Sequence, residues 1–159
     1  DAAIETRDEL IGVESKRFEP FRDKKVAKFA DTYDRPVWDN DMAPYRAMLD
    51  RLRDNPTLYR FLDAAQLVKH ALGLATQSRR QGRRAILLYL FAEPDAIEGR
   101  SIRSVHHDAH RGEIADFAQA VSSGEVAFHA TSYAEWLATW SNDCGEHAVA
   151  LKQRFLASS

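Results

Sequence analysis

An α/β fold, a mixed sheet flanked by helices, is predicted by three stretches of this chain. Residues 85–91, Ala-Ile-Leu-Leu-Tyr-Leu-Phe, are continuously apolar, as in a central strand buried on both faces. Leu58, Phe61, Leu62, Ala65, Val68 and Leu72 recur at helical spacing. Residues 1–4 and 10–16 read as two short strands around the polar turn Glu5-Thr6-Arg7-Asp8-Glu9.

The remaining elements follow in order. Glu19-Pro20 ends the second strand. Residues 23–33 read as a charged helix with Val26, Phe29 and Ala30 inward and Lys24, Lys25 and Lys28 outward, then a loop over 34–41. Pro44 to Arg53 reads as a helix stopped by Asn55-Pro56. Pro56 at the first position, with Asn55 as cap, opens the long helix to about Thr76. Residues 78–84 form an arginine-rich loop before the central strand. Residues 101–121 read as a helix and 126–130 as a short strand. Ser132-Tyr-Ala-Glu135 is a capping-box pattern opening a helix through Trp140. Residues 145–156 form a last helix, with Ala148, Leu151 and Phe155 on one side.

The 159 residues suit one domain spanning 1–159. A hydrophobic content of 45% with 29% charged residues is that of a soluble globular chain. The formal net charge of −2 means that any nucleic-acid contact must rest on a local basic surface. One cysteine, Cys144, excludes an internal disulfide and a cysteine-rich zinc site. No apolar run approaches a membrane span and no signal peptide is visible, so a cytoplasmic location and no membrane partner are expected. The chain opens at Asp1 without an initiator Met, directly in a strand, which predicts an upstream segment and an N-terminally incomplete domain.

Side-chain alternation organises the hairpin. Ile11, Val13 and Ser15 share one face of the second strand; Gly12, Glu14 and Lys16 share the other. A tight turn at Arg7-Asp8 sets Ile4 opposite Ile11, Ala2 opposite Val13 and Asp1 opposite Glu14. This register gathers the apolar residues on one face, expected to be the buried one, and leaves Glu14 and Lys16 facing solvent. On that reading, substitutions there spare the fold, and losing the repelling Glu14 slightly stabilises it. Two carboxylates opposite each other lie about 5 Å apart at Cβ and repel unless a cation sits between them. A hard ion such as Mg²⁺ fits. Lys16 can orient a metal-bound water or stabilise charge developing on phosphorus. Ala3 and Gly12 leave room for a phosphodiester. The bland alternative is an exposed Glu-x-Lys pair beside a frayed terminus.

Asp1 followed by Ile11-Gly-Val-Glu14-Ser-Lys16 resembles the Asp…Glu-x-Lys signature of the PD-(D/E)XK restriction-endonuclease-like superfamily. Residues 62–70, Leu-Asp-Ala-Ala-Gln-Leu-Val-Lys-His, and 87–94, Leu-Leu-Tyr-Leu-Phe-Ala-Glu-Pro, look like a poorly characterised bacterial group within it, and the likeness runs through the last helix. The resemblance implies an α-β-β-β-α-β core and Mg²⁺- or Mn²⁺-dependent hydrolysis of nucleic acid, DNA above RNA, with a homodimer as one arrangement. It implies Asp1 and Glu14 as metal ligands, the Ser15 carbonyl as a further one, and Lys16 as the catalytic lysine. The helix and strand that precede the first carboxylate in the family are missing from this sequence.

Gln66 and Lys69 lie three apart on one edge of the long helix, beside His70. Similar superfamily members often place a polar residue of this helix against the site, so Gln66 and Lys69 are favoured over His70; a solvated edge is the alternative. Arg79, Arg80, Arg83 and Arg84 can grip phosphates, or simply solubilise a loop. His106, His107 and His110 offer i,i+3 and i,i+4 pairs for Zn²⁺, though a polar helix face explains them as well. The alternative to a nuclease is a non-catalytic nucleic-acid-binding or protein-interaction module that keeps the fold. A hydrolase using the three histidines is a third possibility.

Overall fold

The computed structural model describes residues 2–22, 25–34, 38, 40–140 and 145–156. Six strands are formed: β1 (Ala2–Glu5), β2 (Glu9–Lys16), β3 (Arg84–Phe91), β4 (Ala96–Ile97), β5 (Arg100–Ser101) and β6 (Ala127–Ser132). The main sheet has the order β1-β2-β3-β6. β1 and β2 are an antiparallel hairpin, whereas β2, β3 and β6 run parallel. The hairpin register is the one alternation demands, Ala2 opposite Val13 and Ile4 opposite Ile11. The central strand is β3, as its apolar run requires. Only its last part is buried on both faces, since Ile86 and Leu88 are half-exposed.

Six helices carry the connections: α1 (Glu19–Arg22), α2 (Ala43–Asp54), α3 (Ala64–Gln81), α4 (Ser104–Val121), α5 (Tyr133–Ala138) and α6 (Gly145–Leu156). The mixed sheet flanked by helices is therefore present. The Ser132–Glu135 capping box at α5 is formed reciprocally. Elsewhere the boundaries differ from expectation. No helix spans 25–30; the amide of Ala27 bonds instead to the carbonyl of Pro56 at 2.7 Å, and Val26 and Ala30 are exposed.

The long helix α3 does not open at Pro56. Asp63 caps it, accepting from the Gln66 amide. The amides of Arg60, Phe61 and Leu62 all donate at 2.8 Å to the carboxylate of Glu113 on α4. A distant side chain thus satisfies the donors that a longer helix would have used internally. At its other end α3 runs through Arg79 and Arg80 to Gln81, so the arginine-rich segment is largely helix. Gly82, with φ of 65°, stops it in the left-handed conformation that glycine adopts without strain.

The core lies between one sheet face and α2, α3 and α4. It joins Tyr45, Met48 and Leu52 of α2, Leu67, Val68 and Leu72 of α3, Leu87 and Tyr89 of β3, and Phe117 of α4. This face of β2 carries Leu10, Gly12, Glu14 and Lys16. The expected sidedness of the hairpin is therefore reversed. Glu14 is fully buried, while Ile4 is 49% exposed and Ile11 and Val13 are half-exposed. The cause is α3: Leu74 approaches Gly12 so closely that an added Cβ would lie 2.7 Å from its Cδ1. Gly12, expected to leave room for substrate, makes room for a helix side chain.

Candidate active site

Two periodicities meet where α3 crosses β2. Alternate strand residues are ~6.6 Å apart, and helix residues four apart are ~6 Å apart. Lys16, Glu14 and Gly12 therefore match Gln66, His70 and Leu74, one pair per helical turn. The Lys16 ammonium donates to Oε1 of Gln66 at 3.0 Å and lies 2.5 Å from Oε1 of Glu14. Nδ1 of His70 lies 2.8 Å from Oε2 of Glu14. Lys69, one position away, sits elsewhere on the helix, with its ammonium 5.3 Å from the Phe29 ring centroid. His70, ranked below Lys69 from sequence, is the residue at the carboxylate. The signal that points to it is the 66/70/74 spacing read against 16/14/12.

Glu14 is sealed from water, yet its carboxyl is held below the usual carboxylate range. Burial alone would raise it; the contacts with His70 and Lys16, and their charges, outweigh that. The direct contacts lead that balance ahead of the charges, with Oε1 set against the Lys16 ammonium and Oε2 against His70. The carboxylate keeps unused lone pairs at a buried position.

A cleft of about 360 Å³ opens beside His70. Ala2, Ala3 and Gly12 wall it on the strand side; Lys69, His70, Gly73 and Leu74 wall it on the helix side. Of the residues around Glu14, the half-exposed His70 is the one on this cleft's wall. Glu19, not singled out from sequence, stands beyond Lys16. Its carboxylate accepts the amides of Arg17 at 2.8 Å and Phe18 at 2.9 Å. Its pKa is lowered: burial opposes this, but the backbone donors and the Lys16 charge prevail.

The Ser15 carbonyl can be located from the ladder. Asp8 and Lys16 turn their carbonyls to β3, bonding the Arg84 and Ala92 amides at 2.9 Å. Carbonyls alternate along a strand, so that of Ser15 points to the β1 side, two rungs beyond the Ala2–Val13 pair. Its hydroxyl pairs with that of Tyr133 at 2.6 Å. Asp1 lies outside the described residues. A Mg²⁺ ion takes hard oxygen ligands, and the spare Glu14 lone pairs with the Ser15 carbonyl suit it as a partial set. Among the described residues no group of three or more His, Cys, Asp or Glu side chains is gathered to hold a metal.

The expected phosphate-binding arginines lie at the opposite end of the sheet. Arg84 pairs in register with Glu9 and Phe91 with Lys16, seven rungs apart, or ~23 Å. Most of them are also paired with acids. Arg79 donates to Glu125, Arg83 lies 2.6 Å from Glu5 and Arg84 lies 2.6 Å from Glu9, leaving Arg80 exposed. The three histidines of α4 pack among aromatics: His106 against Phe61, His107 against Phe21, and buried His110 against Tyr89 and Phe91. Nε2 of His110 pairs with the Tyr89 hydroxyl at 3.0 Å. Burial pushes its pKa down to about 4.

No helix among the described residues is long and apolar enough to cross a membrane. No protein-family model, curated protein or solved structure matches the chain.

Proposed function

We propose that this protein is a metal-dependent nuclease with a restriction-endonuclease-like core, hydrolysing phosphodiester bonds with DNA as the favoured substrate. The observation that carries this reading is a charged, fully buried Glu14 on β2, flanked by Lys16 two residues on and by Gln66 and His70 from α3. Glu14 and the Ser15 carbonyl would hold the ion, with Asp1 as the second acidic ligand. The ion, when bound, would lower the pKa of a water and offset phosphate charge.

The chain's own groups do the rest. Gln66 fixes the Lys16 ammonium by accepting a hydrogen bond from one of its three N–H groups. The other two are left for Glu14 and for an incoming oxygen. Lys16 can thus orient a water or neutralise charge building on a non-bridging phosphate oxygen. His70 supplies a second donor to Glu14, keeping the carboxylate in place if Lys16 turns to substrate.

Cleavage of DNA by the purified protein in Mg²⁺ or Mn²⁺, abolished by chelation, is the direct test. Lys16→Ala is expected to lose about 10³-fold in rate and to retain metal binding in calorimetric titration. Glu14→Gln is expected to lose both. Full cleavage by Lys16→Ala, or unchanged metal affinity in Glu14→Gln, defeats the assignment.

A second reading has an observation of its own. Both Glu14 oxygens already have a side-chain partner, Lys16 and His70, as in a purely structural buried cluster. The domain would then be a non-catalytic nucleic-acid-binding or protein-interaction module. Nucleic-acid binding without cleavage by folded protein at saturating metal favours it.

A further inference from the structure

Beyond Lys16 the chain makes one turn of helix, α1, and meets the β4–β5 hairpin and the start of α4. These three elements enclose a cleft of about 400 Å³ whose walls include Phe21, Arg22, Glu98, Arg100, Ser101 and His106. It is more polar than the cleft beside His70, and its cations are held differently from those at the other end of the sheet. Arg100 is exposed and has no carboxylate partner among the described residues. Arg103 is exposed and lies next in sequence to Ile102 of the cleft wall; it contacts Nε2 of His106, also on that wall, at 3.1 Å. Arg22 faces Glu98 at 3.5 Å with both side chains largely in water, a pairing worth little. The hairpin tip is a two-residue turn, Glu98 at φ 51° and Gly99 at φ 74°. This tight connection fixes Arg100 on the cleft wall.

Resting on the nuclease reading above, we infer that this cleft and its rim at Arg103 are the phosphate-gripping surface for the nucleic-acid strand, with Arg22, Arg100 and Arg103 contacting successive backbone phosphates. The distances suit it. Lys16 and Phe21 are five residues apart, so their Cα atoms lie within ~17 Å. Phosphates along one strand of a duplex advance by about 3.4 Å each. A strand with its scissile phosphate at Lys16 therefore passes this cleft within about five nucleotides. The arginines at 79, 83 and 84 are ~23 Å from Lys16 in the opposite direction and engaged with acids. Glu98 is the one carboxylate on the cleft wall, and it works against binding.

The test is fluorescence-anisotropy binding of a labelled 20-base-pair duplex to the purified protein in EDTA, across a salt series, with cleavage in Mg²⁺ followed in parallel. Arg100→Ala and Arg103→Ala are each expected to weaken binding about ten-fold at low salt. Each is also expected to flatten the slope of log affinity against log salt by about one unit. Glu98→Gln is expected to tighten binding by releasing Arg22. Arg83→Ala/Arg84→Ala is the control and stays near wild type. Unchanged affinity and slope in Arg100→Ala and Arg103→Ala, with the double control weakened, overturns the assignment while cleavage still upholds the nuclease. Loss of salt-dependent binding in the cleft variants, in a protein that cleaves nothing, upholds the surface and removes the catalysis. No binding of any duplex by the wild type overturns the surface.

Discussion

The parallel strands β2 and β3 have a basic segment at each end. At the end where they begin, Arg79, Arg83 and Arg84 are each set against Glu125, Glu5 or Glu9. At the end where they finish, Lys16 is held by a buried carboxylate and an amide, while Arg100 and Arg103 have no acidic partner among the described residues. Charge counted along the sequence favours the first end; charge left unbalanced in space favours the second. An arginine already neutralised adds little to the field felt by a polyanion. Open parallel sheets also tend to bind ligands beyond the carboxyl ends of their strands.

Removing an acid from each end separates the two sharply. Glu14→Ala leaves Lys16 and His70 facing each other with no counter-charge. Breaking a buried pair costs 3–5 kcal/mol; with Lys16 and His70 both partly exposed, a loss of about 2–3 kcal/mol is expected. Urea unfolding at pH 7 would show it as a lower midpoint with the slope unchanged. Glu9→Ala, at the other end, is expected to cost no more than about 1 kcal/mol. Equal losses would erase the distinction. This corrects the expectation that removing Glu14 is harmless or stabilising, which assumed a solvent-facing side chain.

Acid sharpens the contrast. His110 behind the finishing end stays neutral down to about pH 4 when folded but protonates near 6.5 when unfolded. The unfolded state therefore binds more protons between those values, and stability falls as pH drops from about 6.5 to about 4. The loss is on the order of 3 kcal/mol. Glu14 acts in the same direction lower down. Its depressed pKa contributes stability above about pH 4.5 that is lost as pH falls through the folded value. Urea midpoints between pH 7 and 4 measure the histidine, and extending them below pH 4 adds Glu14; His110→Phe is expected to flatten the upper part. A midpoint that holds steady to pH 4 in the wild type contradicts the buried neutral histidine.

The smallest effect belongs to the balanced arginines. Arg83→Ala and Arg84→Ala are expected to cost a few tenths to about 1 kcal/mol each, measured by thermal unfolding at low and high salt. The difference from wild type should shrink as salt screens the pairs.

The hairpin register was readable because side-chain period and turn position determine it locally. Which face would be covered was not. That depended on α3, which lies over Gly12, Glu14 and Lys16 because Gly12 lets Leu74 in. Apolar residues mark a buried face only when burial is uncompensated; here Lys16 and His70 compensate Glu14. The end of α3 had a signal in Gly82, but the arginine-rich run before it reads as a loop from about residue 78, whereas the helix continues to Gln81. Its start was not legible, because Pro56 imitates a helix opening and the group that satisfies residues 60–62 is 51 positions or more away. Lys16 and Gln66 could be named from the sequence; His70 needed the helix phase against the strand.

The carboxylate of Glu113 has a bearing on the order in which the molecule assembles. It closes the loop at 60–62 that leads into Asp63 and sets where α3 begins. During synthesis the β1–β2 hairpin and the whole of α3 are made before residue 113 emerges. The amides of 60–62 then have water or a transient extra turn of helix as partners until α4 docks. Contacts of such long sequence separation form late, so the pairing of Gln66 with Lys16 and of His70 with Glu14 is expected to become final only after the second half of the chain is in place. A ribosome-bound fragment ending before Glu113 would hold the candidate site's residues without its geometry.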